Sequence, residues 1–161
     1  MTISCRIGMV SALVAMLFAP FAHAGGVQSE KEAIMLAESA MKKIVADDVE
    51  GATELLRPHA SIDWGELNAL TKHVAETYRT RPAGFGDPLG YAYATRESVG
   101  DSVLRVTFIE KFKRKPLLWE FYFYKPEQNW LLLGFTFNAS EARMFNLAPL
   151  PPPQASSPAV R

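Results

Sequence analysis

Cysteine is all but missing from this chain: the one it has, Cys5, lies within the first 24 residues. Those residues read as a secretory signal, with Arg6 as the positive start, an apolar run over 7–18 and the cleavage pattern Ala22-His23-Ala24. The expected mature chain, from residue 25 onward, therefore has no cysteine. That excludes disulfides, a thiol nucleophile and thiolate metal ligation, although an exported compartment would permit disulfides. Long hydrophobic runs are absent as well. The apolar part of the leader is too short to cross a bilayer, and no later stretch is long enough, so the chain is not expected to span a membrane. The expected location is the bacterial periplasm, or secretion.

Charge of one sign is also lacking. Seventeen basic side chains stand against seventeen acidic ones, and removal of the leader takes away Arg6 alone, leaving a net charge of −1. Nucleic-acid binding rests on neutralising phosphates with a basic excess, so nucleic acid is not an expected partner. Histidine is scarce: only His59 and His73 follow the leader, with no His-x-x-x-His or Cys-x-x-Cys spacing. No metal site and no cofactor are expected. The glycines of Gly84-Phe85-Gly86 fall between a helix and a strand, the wrong order for a dinucleotide or phosphate loop. Ser61, Ser98 and Ser102 sit in turns or caps with no nucleophile elbow around them.

What is present is a run of strand-forming sequence. Residues 91–98, 103–112, 117–125 and 130–137 are rich in aromatic and β-branched side chains and are separated by Gly, Pro and Asn. They predict a four-stranded antiparallel meander, with a two-residue hairpin around Gly100 and turns over 113–116 and 126–129. If Phe112 opposes Leu117, then Leu104, Val106 and Phe108 share an apolar core face with Trp119, Phe121 and Phe123. The other face carries Arg105, Thr107, Ile109 and Lys111 beside Leu118, Glu120, Tyr122 and Tyr124. The fourth strand is apolar on both faces, as buried strands are. A second apolar face calls for a cover.

Helices precede the sheet. After a flexible lead-in, Ser29 and Glu32 have capping-box spacing before a helix over 30–46. A short helix over 50–56 follows Asp47-Asp48 and stops before Pro58. Asp63 and Glu66 start a third, over 64–79, with Trp64, Leu67, Leu70, Val74 and Tyr78 as its apolar stripe. Residues 81–88 are turn chemistry, and 140–145 are one last helical turn. Residues 25–146 thus form a single α+β domain, and 147–161 are a Pro-rich, disordered or polyproline-like tail.

This layout resembles the nuclear-transport-factor-2-like, or cystatin-like, superfamily, and within it small exported bacterial domains of unknown function. The residues that carry the resemblance are Asp47-Asp48 and Leu55-Leu56, the helix with Trp64 leading to Arg81 and Phe85-Gly86, and the closing strand Trp130-Leu131-Leu132-Leu133-Gly134-Phe135. The resemblance covers residues 29–138 and implies a sheet curled into a cone around the helices. It implies a small enzyme, a ligand carrier or a dimeric protein-binding module, and fold alone does not choose among them.

An enzyme of this layout needs a buried acid or base with a displaced pKa. Glu120, isolated among Leu118, Tyr122 and Phe135, is the foremost candidate, with Arg105 or Lys111 as the expected partner of a structural ion pair. His73 and Asp63 are weaker: one reads as a half-buried structural histidine, the other as a helix cap. His59 reads as solvated. Tyr91, Tyr93, Tyr122 and Tyr124 complete the acid–base candidates. Trp64, Tyr78, Phe108, Trp119, Phe121 and Phe123 are the pocket or core-face candidates. Arg96 opposite Arg105 would be unfavourable unless the register slips or an acid intervenes. The basic run Lys111-Phe112-Lys113-Arg114-Lys115 reads first as a solvated hairpin tip. Two functions stay open. One is an exported non-enzymatic module that binds a protein partner or a small apolar ligand. It would be homodimeric through an outer sheet face built from Ile109, Tyr122, Tyr124, Leu131 and Leu133. The other is a small cofactor-free isomerase, cyclase or hydrolase using a buried Glu or His.

Overall fold

The computed structural model describes residues 25–80 and 83–145; the expected signal and the Pro-rich tail lie outside the described residues. The chain lays down α1 (Glu30–Ile44), α2 (Val49–Leu56), a 3-10 turn (Arg57–His59) and α3 (Trp64–Arg79). A second 3-10 turn (Ala83–Phe85) leads into β1 (Pro88–Val99), β2 (Val103–Phe112), β3 (Pro116–Tyr124) and β4 (Leu131–Asn138), and α4 (Glu141–Phe145) follows. The architecture is α+β: helices first, then one open antiparallel sheet in the order β1-β2-β3-β4.

Each helix starts where its capping chemistry places it. Ser29 accepts from the Glu32 amide at 3.2 Å, and Glu32 reaches back to the Gln28 amide at 2.7 Å. Asp48 accepts from the Gly51 amide at 2.8 Å and Asp63 from the Glu66 amide at 3.0 Å. These bonds satisfy amides that the first turn of a helix leaves without partners. The first helix ends at Ile44, two residues earlier than expected, because the chain turns through Asp47 at φ 62°. Three of the expected strands shift by one to three residues at an end.

The two faces of the sheet separate as the alternation requires. Leu104, Val106, Phe108, Trp119, Phe121 and Phe123 are buried on the side covered by α1–α3, where Phe135 and Tyr78 join them. The register is offset by two residues from the expected one: Leu117 faces Glu110, and Phe108 faces Trp119. An offset of two keeps the faces and moves only the partners, which is why the core side was readable. The first hairpin has three loop residues, with Gly100 at φ 56°. Arg105 faces Glu97 rather than Arg96, so the acid that the charge pattern demanded is directly across the ladder.

β4 is an edge strand, not a buried one, and Leu133 is 40% exposed. The beginning of its outer side is nevertheless occupied. The Val27 and Trp130 backbones exchange two hydrogen bonds just ahead of the strand, and the Ser61 amide donates to the Leu132 carbonyl at 2.8 Å. The lead-in before α1 is therefore paired, and His59 Nδ1 meets the Gly25 carbonyl. No described helix is long and apolar enough to cross a membrane.

Candidate functional site

β2 and β3 carry one fully buried carboxylate to each face of the sheet. On the helix side, Glu110 lies among the core residues with no exposed surface. The Tyr78 hydroxyl donates to its Oε1 at 2.7 Å and the Trp119 indole N–H to its Oε2 at 2.8 Å. Trp119 and Tyr78 also meet edge to face at 5.4 Å. A carboxylate in this layer is expensive to desolvate, and these two donors offset part of that cost. Glu110 continues the Leu104, Val106, Phe108 alternation, so the sequence pattern itself carries the signal that sets it on the core face.

On the opposite side, Glu120 is equally buried. Arg105 reaches it at 3.1 Å from the neighbouring strand. Arg105 is thus one of the two expected partners; a second cation, Arg143 from α4, joins it at 3.0 Å. Arg143 also donates to the Tyr122 hydroxyl at 3.4 Å, and Arg105 pairs with Glu97. Burial pulls the Arg105 pKa down, but its bond and charge contact with Glu97, and the charge of Glu120, outweigh that and hold it above the ordinary value. Arg143 is raised too, first by the charge of Glu120 and then by their hydrogen bonds. Thr107, opposite Glu120 in the ladder, is buried with its hydroxyl unpaired.

Beside this cluster lies an open apolar hollow of about 300 Å³, lined by Leu70, Tyr122, Leu133, Gly134, Phe135 and Thr136. Gly134 is its floor. A Cβ there would come within 3.3 Å of the Leu70 side chain, so glycine lets α3 approach the strand. Tyr122 joins hollow and cluster: its ring lines the first and its hydroxyl contacts the second.

The expected site residues fall as follows. Phe108, Trp119, Phe121, Phe123 and Tyr78 are buried together on the helix side. Trp64 is not in that core. It is 45% exposed and lies under the Arg57 guanidinium at 4.6 Å. His73 is exposed, not half-buried: Thr71, Val74, Ala75 and Tyr78 take the inner side of α3 and leave it outside. Asp63 caps α3. On the second face, Ile109, Tyr122 and Leu131 are half-buried, while Tyr124 and Leu133 are each 40% exposed. Tyr91 and Tyr93 belong to the helix side, where Tyr91 donates to Glu38 at 3.1 Å. Burial, and then the Glu38 carboxylate, raise the Tyr91 pKa.

Chemically, both buried carboxylates are engaged through both oxygens by donors on the protein itself. This holds neighbouring elements in place: Glu110 ties α3 to the sheet and Glu120 ties α4 to it. Among the described residues no three His, Cys, Asp or Glu side chains come together as metal ligands would. The chain matches no known protein-family model and no curated protein. The class that fold and site define is an α+β domain with a helix-covered face and a second face that is part ion-pair cluster, part apolar surface.

Proposed function

We propose that this chain is an exported, non-enzymatic binding module of the nuclear-transport-factor-2-like (cystatin-like) kind. Its leader is removed near Ala24 and it acts in the periplasm as a homodimer. A protein partner or small apolar ligand is received on the second sheet face, and the sheet curls around α1–α3 as a cone. The observation that carries this reading is the apolar hollow at Leu70, Tyr122 and Leu133, continuous with a face on which Tyr124 and Leu133 remain 40% exposed. Exposed apolar surface of this kind, rimmed by polar groups, marks an interaction site. The engagement of both oxygens of Glu110 and of Glu120 by internal donors supports binding over acid–base chemistry.

The test is native mass spectrometry of the chain purified from its own export compartment. A start at residue 25, a dimer and a bound species displaced by Leu133→Arg are expected. Retention of the bound species by Leu133→Arg would remove the second face from the reading. A variant Glu120→Gln that keeps its stability but abolishes a turnover would establish the enzyme alternative instead.

A further inference from the structure

The two edges of the sheet are treated differently. The outer side of β4 is met by Val27 and Ser61 at Trp130 and Leu132. Among the described residues no backbone segment pairs with the outer side of β1, although β1 is the longest strand at 12 residues. Folded proteins ordinarily blunt such an edge with charge, with proline or with a covering segment, because a row of unpaired N–H and C=O groups is a template for another strand. Here proline stands only at the first position and register shifts interrupt the strand at Leu89 and Ala94, but the stretch between them, Gly90–Tyr93, is regular and carries no charge at all. Within that stretch Tyr93 is 49% exposed, and Leu89 just before it is 59% exposed.

The segment is also symmetric in side-chain size. Gly90-Tyr91-Ala92-Tyr93-Ala94 reads small, large, small, large, small from either end. Tyr91 and Tyr93 face the helix side, opposite Glu110 and Phe108, while Ala92 faces the second side, opposite Ile109. Side chains directly opposite in an antiparallel pair share a face. A two-fold axis through Ala92, perpendicular to the sheet, therefore sets Tyr91 against Tyr93 of a second copy, twice, on the helix side. On the other side it sets Ala92 against Ala92. Large meets large and small meets small across Tyr91–Tyr93, and no charge falls in that stretch.

We propose that two copies of this chain join through the β1 edges, antiparallel and centred on Ala92, into one continuous eight-stranded sheet. This rests on the homodimer reading above and moves the contact between copies from the second face to the edge, leaving the hollow at Leu133 free for its ligand. The contact is isologous, as a two-fold dimer requires. The register shifts at Pro88/Gly90 and Tyr93/Thr95 bound the regular stretch. So short a strand pair buries less than the roughly 1,600 Å² of a standard stable interface, and the dimer dissociates on dilution.

The experiment uses the mature chain in sedimentation runs over a dilution series, with Ala92→Lys and Ala92→Glu. Position 92 is exposed on the monomer, so either charge is tolerated there, whereas across the axis each would meet its own kind. The expected result is that each variant alone is monomeric where the unchanged chain is dimeric, and that mixing the two restores the dimer. If both variants dimerise like the unchanged chain while Leu133→Arg does not, the copies meet through the second face and the edge contact is refuted. If the unchanged chain is a monomer at every concentration, the homodimer reading falls with it. The displacement test at Leu133 still decides ligand binding on its own.

Discussion

Replacing Glu120 by Gln removes one negative charge from between two arginines and changes the shape of the side chain hardly at all. Glu120 has no exposed surface, whereas the Arg105 and Arg143 side chains are 26% and 44% exposed. In the variant, an amide oxygen in the place of Oε1 can still accept from both guanidiniums, but the N–H₂ in the place of Oε2 then faces the Arg143 N–H groups, donor against donor. Breaking a fully buried pair costs about 3–5 kcal/mol, and a single hydrogen bond to a charged group contributes about 1.5–3 kcal/mol. Both arginines keep access to water and can re-solvate, so the lower part of these ranges applies: about 2–3 kcal/mol. With a urea slope of about 2 kcal/mol/M, the unfolding midpoint falls by about 1–1.5 M at unchanged slope. Arg143→Met keeps the apolar stem and loses only the more exposed cation, so it costs about 1 kcal/mol. The assay is urea unfolding followed by tryptophan fluorescence at neutral pH. A Glu120→Gln midpoint within about 0.2 M of the unchanged chain would refute the argument that this cluster is structural.

Other outcomes follow from the same geometry. Trp119→Phe removes the indole donor from Glu110 and leaves a void in the core, costing about 3 kcal/mol in the same unfolding assay. Tyr78→Phe keeps the ring and loses the hydroxyl donor, costing about 1–2 kcal/mol. Trp64→Ala removes an exposed stacking partner of Arg57, and the midpoint moves by less than the equivalent of about 1 kcal/mol. The Asp48 carboxyl is held below its ordinary value of 3.8, first by the Gly51 amide and then by Lys43. A depressed folded-state pKa stabilises above the unfolded value and is lost as pH falls through the folded one. Between pH 5 and pH 2, thermal unfolding of the unchanged chain should therefore show a steeper loss than Asp48→Asn.

Much of the local structure follows from sequence alone because its causes are local. Ser29 with Glu32 and Asp63 with Glu66 lie three residues apart, and a cap needs nothing further away to form. The β2 and β3 faces are separated by the alternation of Leu104, Val106 and Phe108, and of Trp119, Phe121 and Phe123, which any register offset of an even number preserves. The isolation of Glu120 in an apolar strand is likewise visible in one dimension, as is its need for a cation.

Which cation it takes is not local. Arg143 lies 23 residues beyond Glu120 and reaches it only because α4 turns back over the sheet. Glu110 finds Tyr78 32 residues away and Trp119 nine residues away, and no spacing rule encodes either distance. Trp64 fits the helical stripe in sequence, yet it stands 45% exposed beneath Arg57 of the preceding 3-10 turn, a neighbour that the stripe does not encode. The edge strands were the hardest to read: β4 looks buried because it is apolar on both faces, yet its edge position emerges only from strand order. Sequence determined the elements, their caps and the sides their residues face, since those depend on neighbours a few positions apart. Tertiary structure alone decided which charges meet, which edge is covered and which apolar side chains remain in water, since those depend on where distant segments cross.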